Sequence, residues 1–378
     1  MKAIVYYGPK DIRFDASYPE PQIQEPTDVK LKIHYCGICG SDLHEYTDGP
    51  TFFAPPGENH SISNKPYPHI MGHEMSAEIV EIGSDVNDFS VGDSVVVEVT
   101  GTCMDRDRFE GPNEDVPKCE ACTDGHYNAC TYLGLTGLGF TDGGFAEYVV
   151  TSSSKLVKFD KNKINYDVAA LIQPLAVSWH AVRLSNFEEG QMALVLGGGP
   201  IGLTTIFALK GHGASKIVVS EPSSGRRKLA ESLGVDTFDP TGKSVEECVS
   251  ILKKMTSDGY GFHRSFDCSG VPATFDTSVK ALRIRGVATN VAVWAHRPID
   301  YYPMMTTWSE KSVKGSICFV KEDFEAVANA IEEGHIDQRE LKSLISAEIP
   351  LERAVEEGFD ELIKNKEKHI KLLFTPLA

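Results

Sequence analysis

The chain has 378 residues, of which 41% are apolar and 24% charged, and it carries a formal net charge of −17. Such length and composition predict a soluble globular protein of two domains with a sizeable core, and the acidic surplus excludes nucleic acid and anionic membrane as partners, since both are recognised by basic surfaces. The opening MKAIVYYGPKDIRF lacks the apolar region of a secretory signal, no apolar run approaches the ~20 residues of a membrane span, and LLFTPLA is no address signal, so the expected location is the cytoplasm.

Residues 1–35 alternate apolar and polar positions in AIVYY, DIRF and VKLKIHYC, separated by Pro and Gly, which predicts short strands. They lead into Cys36-Gly37-Ile38-Cys39-Gly40-Ser41-Asp42-Leu43-His44, which we read together with Gly72-His73-Glu74. Cys39, His73 and Glu74 offer the S, N and O donors that zinc prefers, and three protein ligands leave a catalytic zinc one open position. Ser41 and His44, two and five residues past Cys39, are placed to pass a proton from the metal site to solvent. Taken alone, the same residues also fit a turn with buried thiols and a surface histidine. Residues 45–69 form a long loop rich in Pro and Gly with Phe52, Phe53, His60 and His69, and long loops beside metal motifs are often functional. The two histidines stand either as extra ligands or as solvated loop residues.

Residues 75–99 alternate around SVGDSV, as in the strands of a small β-barrel. Nine cysteines without a secretory signal argue against a disulfide framework. Four of them, Cys103, Cys119, Cys122 and Cys130, fall within 28 residues. Four thiolates close a tetrahedral zinc and fold a loop with little core of its own, which suits the polar stretch MDRDRFEGPNEDVPK. More strand with glycine turns follows in YLGLTGLGFTDGGFAEYVVT, then a helix in YDVAALIQPLAVSWHAVRL, where Gln173 reads as a buried amide satisfied by backbone.

From 192 to 320 strands alternate with helices: MALVL, KIVVSEP, RSFDCSG and VATNVAVW are strands, with helical stretches between them. Such βαβ units build a parallel, doubly wound sheet, an α/β architecture. Gly197, Gly199 and Gly202, with Pro200 and Ile201 between, fit G-x-G-x-x-G after a strand and at the start of a helix, the arrangement that seats a pyrophosphate on a helix N-terminus. Glu221 ends the next strand, 19 residues past Gly202, where a carboxylate accepts from the ribose hydroxyls of NAD and repels the 2′-phosphate of NADP. Arg226 stacks on the adenine, pairs with Glu221, or is a solvated helix charge. Residues 321–378 hold two amphipathic stretches and a final strand, HIKLLFTPL, expected to return to the first domain.

The GICGSDLHEY stretch, GHE, the four-cysteine lobe, GGGPIG and DCSG together resemble the zinc-dependent medium-chain alcohol dehydrogenases, and within them the fungal 2,3-butanediol dehydrogenases, over the whole chain. The resemblance implies a GroES-like β-rich catalytic domain and a Rossmann domain. The expected boundaries are 1–170 for the first part of the catalytic domain, with the zinc lobe at about 100–132, then 171–320 for the NAD-binding domain and 321–378 for the return. It implies Cys39, His73 and Glu74 near the catalytic zinc, Asp42 orienting His73, Ser41 and His44 as a proton relay through the cofactor ribose, and Cys103, Cys119, Cys122 and Cys130 on a structural zinc. Two departures stand out. Gln173 replaces the family glutamate that binds zinc or its water, and Cys318-Phe319 replaces an Arg-Tyr pair that contacts polyol hydroxyls in sorbitol dehydrogenases.

The expected activity is hydride transfer between NAD and a small secondary alcohol or vicinal diol, such as 2,3-butanediol and acetoin, with zinc as Lewis acid and two zincs per chain. A sugar or other polyol dehydrogenase, and an NAD-binding sensor or structural protein that has lost turnover, are the alternatives. A homodimer or homotetramer is expected.

Overall fold

The alternation at the start of the chain folds into strands Ala3–Gly8, Asp11–Asp15 and Asp28–Gly37. The computed structural model describes residues 1–55, 57–109, 116–294 and 298–377, so the middle of the polar stretch between Cys103 and Cys119 lies outside the described residues. Two units emerge: Met1–Gln173 with Val320–Glu332 and Leu341–Ala378, and Pro174–Phe319 with Glu333–Glu340. No helix among the described residues is long and apolar enough to cross a membrane.

In the first unit, Asp28–Gly37 is the central strand. It pairs antiparallel with Glu74–Ile82, Tyr148–Ser152 and Lys371–Thr375. Ser94–Val97 and Leu156–Lys158 extend this sheet on one side, and Ile345–Pro350, parallel to Lys371–Thr375, closes the other. The end of the central strand places the site: Gly37 lies opposite both Glu74 and Leu373. Residues 371–374 are all buried, so the strand has no water-facing side onto which Lys371 could turn.

The expected loop over 45–69 begins only after the helix Gly40–Asp48, and two further segments differ from expectation. Between Gly134–Leu135 and Tyr148–Ser152 the chain is not strand. Its backbone groups instead wrap residues 70–72, with Gly143 N donating to Ile70 O, Gly144 N to Gly72 O and Phe145 N to Met71 O, which fixes the approach to His73. The expected helix over 166–184 is two, Tyr166–Ala169 and Ile172–Leu184. Pro174 lacks an N–H and is tolerated only in a first turn, so the helix restarts just before it.

The second unit is a six-stranded parallel sheet in the order Asp236–Phe238, Lys216–Ser220, Met192–Leu196, Phe262–Asp267, Leu282–Asn290, Ser312–Gly315. The first and last of these strands were not read from the sequence. Leu194, Leu196, Val218, Phe262 and Leu282 pack with Leu252 of helix Val245–Lys254 into the core. Strand order reverses between Met192–Leu196 and Phe262–Asp267, and in open α/β sheets ligands sit outside the carboxyl ends of strands at such a reversal.

Candidate active site

Cys39 is the extended residue that starts helix Gly40–Asp48. Its N–H donates to Asp42 Oδ2 at 2.8 Å, so the carboxylate one turn later holds the cysteine at the helix entrance. The other oxygen, Asp42 Oδ1, stands 3.3 Å from His73 Nδ1. Among the described residues neither atom has another hydrogen-bond partner, so this contact sets the imidazole's orientation. Burial opposes charging of His73, but the Asp42 and Cys39 charges outweigh it and hold the ring well above the ordinary imidazole range. Ser41 Oγ lies 3.3 Å from His73 Nε2. Cys36, by contrast, is fully enclosed, and burial pushes its thiol well up, which leaves it unreactive.

Ligand atoms of Cys39, His73 and Glu74 all lie within 4.8 Å of one another, so the residues singled out 34 positions apart in sequence converge. Glu74 has a partner that the sequence did not disclose. Lys371 Nζ donates to both of its carboxylate oxygens at 2.7 Å and to Ile38 O at 3.1 Å, and lysine and glutamate are 4% and 0% exposed. A lysine in the run HIKLLFTPL reads as the outward residue of an edge strand, and nothing in the run marks it as buried. His44 is exposed on the same helix as Ser41, three residues on, and Gln173 is buried near the start of Ile172–Leu184. His60 and His69 are not solvated loop residues. His60 Nδ1 accepts from Ile62 N and Ser63 N, and the His69 ring packs edge-on against Phe53 and Tyr67. Burial drives both imidazoles down to about 4. Neither joins a metal-ligand group among the described residues.

The four lobe cysteines also converge, with Cys103 Sγ 3.7 Å and Cys130 Sγ 3.8 Å from Cys119 Sγ. Zn–S bonds of about 2.3 Å in a tetrahedron require sulfurs about 3.8 Å apart, so the set fits zinc and is far too open for disulfides. The Thr131 and Cys122 backbone N–H groups pull Cys119 down to about 6, while burial and the neighbouring thiols push Cys122 up and burial pushes Cys130 up.

In the second unit the Gly197–Gly202 turn joins strand Met192–Leu196 to helix Pro200–Gly211. Gly197 has φ +104°, a conformation open to glycine, and a side chain on Gly202 would strike Gly197 O. Glu221 is buried, and its carboxylate accepts from Gly198 N at 2.6 Å and Ser223 N at 2.7 Å, which fixes it beside the glycine turn. Arg227 Nη1 donates to the Glu221 and Pro222 carbonyls, both at 2.7 Å. Arg226 Nη1 is the nearest group to Gly199, 3.9 Å from where a Cβ would stand.

Comparisons with known proteins agree with this geometry. Residues 25–161 match the alcohol dehydrogenase GroES-like domain and residues 200–333 the zinc-binding dehydrogenase family. The chain is 46% identical to (R,R)-butanediol dehydrogenase of Saccharomyces cerevisiae over 100% of its own length and 98% of the relative's. It resembles the crystal structure of 2R,3R-butanediol dehydrogenase from Bacillus subtilis, with a TM-score of 0.86, 35% identity and 99% of each chain covered. A zinc-binding dehydrogenase from Sinorhizobium meliloti, solved with NADP, gives a TM-score of 0.82 at 27% identity over 99% of both chains. One lineage thus accounts for both units, and the chain belongs to the zinc-binding alcohol dehydrogenases, oxidoreductases that join a GroES-like domain to a Rossmann-type sheet.

Proposed function

We propose that the protein is a zinc- and NAD-dependent dehydrogenase that interconverts a small vicinal diol and its hydroxyketone, 2,3-butanediol and acetoin. The convergence of Cys39, His73 and Glu74 within 4.8 Å carries this reading, and the butanediol dehydrogenases among its relatives supply the substrate class. Cys39 and His73, with Glu74 or Gln173 completing the set, would hold a zinc whose chemistry would be that of a Lewis acid toward the alcohol oxygen, and NAD would be the hydride acceptor.

The chain's own residues supply position, charge and a path for the proton. Asp42 orients His73, as an outer carboxylate does for a ligating imidazole. Ser41 and His44 lie three residues apart, on one side of the helix, so a proton released beside Ser41 reaches the exposed His44 and solvent. Lys371 holds Glu74 and tempers its negative charge. The first unit carries both metals, with a second zinc on Cys103, Cys119, Cys122 and Cys130. The second unit carries the dinucleotide on Gly197, Gly199, Pro200, Ile201 and Gly202, with Arg226 beside the turn. Glu221 favours NAD over NADP, because its fixed carboxylate repels a 2′-phosphate.

A homo-oligomer is part of this reading. Among the described residues Ser312–Gly315 pairs on one side only, and Tyr302, Trp308 and Ile317 are exposed in the same unit, at 68%, 84% and 55%. A reducing compartment such as the cytoplasm suits nine cysteines that form no disulfide.

The test is NADH absorbance with purified, zinc-loaded protein offered NAD and 2,3-butanediol stereoisomers, simple secondary alcohols, sorbitol or glucose. The butanediol reaction is expected to have the highest kcat/KM. Preference for sorbitol or glucose would overturn the substrate, and no turnover of any alcohol, with NADH still bound, would make the protein a sensor.

A further inference from the structure

Glu45 follows the relay histidine directly and is fully buried, yet no role has been assigned to it. Its Oε1 accepts from Tyr6 OH at 3.0 Å, and its Oε2 accepts from Thr51 N and Phe52 N, both at 2.8 Å. Tyr6 OH also donates to Glu45 O at 3.1 Å, and Lys10 N donates to Tyr46 O at 2.8 Å. Among the described residues Glu45 makes no ion pair, so three neutral donors stabilise its buried carboxylate. Two of the three belong to the backbone just past the helix. The next residue, Phe53, packs its ring 4.9 Å from Tyr6 and 4.7 Å from His69. His69 begins the short strand that leads, through Gly72, into His73 and Glu74. Glu45 therefore joins the helix bearing Ser41 and His44 to the segment that delivers His73.

We propose that Glu45 is a positioning residue for the dehydrogenase reaction, locking the Thr51–Phe53 loop between these two legs and so fixing Ser41 against His73. The inference rests on the dehydrogenase reading for its kinetic arm only. Geometry, not charge, is what the position requires. A glutamine keeps one oxygen for the Thr51 and Phe52 N–H groups and turns its amide N–H toward the Tyr6 oxygen, while Tyr6 still donates to the Glu45 backbone carbonyl. An aspartate is one methylene too short, and an alanine leaves two N–H groups unpaired.

The experiment compares zinc-loaded wild type with Glu45→Gln, Glu45→Asp and Glu45→Ala, by hydrogen exchange at the Thr51 and Phe52 amides and by steady-state kinetics with butanediol and NAD. Exchange is expected to speed up in the Asp and Ala variants and to stay near wild type in Gln. In parallel, kcat falls about 10- to 100-fold in Asp and Ala, the cost of ~1 Å misplacement, while KM, NAD affinity and zinc content hold and Gln restores turnover. Unchanged exchange or unchanged kcat in Asp and Ala would overturn the proposal. So would a Gln variant as slow as Ala, or a kcat loss that tracks loss of zinc. The exchange arm needs no substrate, so wild type that ignores butanediol would sink the proposed activity and leave this arm readable. If the Ala variant does not fold, the Asp and Gln pair decides.

Discussion

Replacing Lys371 with methionine should destabilise the first unit by about 3–5 kcal/mol, the usual cost of removing one partner from a buried ion pair. That cost is well beyond the roughly 0–1 kcal/mol of a surface pair. The lysine makes three short contacts, two to Glu74 and one to Ile38 O, and both charged groups are almost wholly out of water. Methionine fills the space of the side chain but leaves Glu74 buried without its cation. In a unit of this size each kcal/mol moves the unfolding midpoint by about 2–4 °C, so a drop of roughly 10 °C is expected by calorimetry of the zinc-loaded protein. High salt should not abolish the difference, because a buried pair is poorly screened. Combining Lys371→Met with Glu74→Gln should recover much of the loss, a coupling read from the double-mutant cycle. Burial works against the charged lysine, but the Glu74 and Cys39 charges outweigh it, so its folded pKa lies above the ordinary 10.5. The pair's contribution is therefore fully present below that value and fades only as pH rises through the higher folded one. A midpoint within about 3 °C of wild type, or a double variant whose loss equals the sum of the singles, would refute the argument.

Other outcomes follow from the same geometry. Because burial holds His69 down to about 4, the unfolded chain takes up a proton first, and stability should fall as pH drops from 6.5 toward 4; at pH 5 this amounts to about 2 kcal/mol. His69→Phe should remove that part of the pH slope in denaturant titrations, and an unaltered slope would contradict the assignment. Cys122→Ser should lower bound zinc from about two to about one per chain and lower stability with the catalytic zinc retained; metal analysis showing one zinc in fully active wild type would count against the lobe site. Glu221→Ala should weaken NAD and narrow its advantage over NADP, an effect on the order of a few kcal/mol, and wild type that favours NADP in kinetic assays would reverse the reading.

What the sequence disclosed was the part written in local spacing. Gly197 and Gly202 are legible because the tight strand-to-helix turn has no room for a side chain at either, and Gly199 because the spacing completes the pattern. The lobe cysteines are legible because thiols rarely cluster without a metal or a disulfide. Cys39 and His73 could be chosen by residue type, though only the strand pairing of Gly37 with Glu74 shows why they meet. Lys371 was not legible. A strand buried on both faces looks, over five residues, like an edge strand with one polar position, and only long-range pairing separates the two. Glu45 was passed over for a related reason: an acid after His44 reads as a solvated helix charge until the fold brings Tyr6 and the Thr51–Phe52 backbone against it. His69 was misread because loop composition suggested exposure, while its ring belongs to an aromatic cluster with Phe53 and Tyr67.

The separation of Glu74 and Lys371, 297 residues, also bears on how the molecule is made. A ribosome adding roughly 5–20 residues per second releases the lysine some 15–60 s after the glutamate. Throughout that interval the whole six-stranded sheet can be synthesised and can fold, while the strand that carries Glu74 has no cation to be buried with. The nascent first unit must keep that carboxylate wet, and so keep the end of strand Asp28–Gly37 open, until Lys371–Thr375 arrives to zip beside it. On the proposed reading, zinc loading at Cys39 and His73 would then wait for the last strand rather than for the ligands themselves.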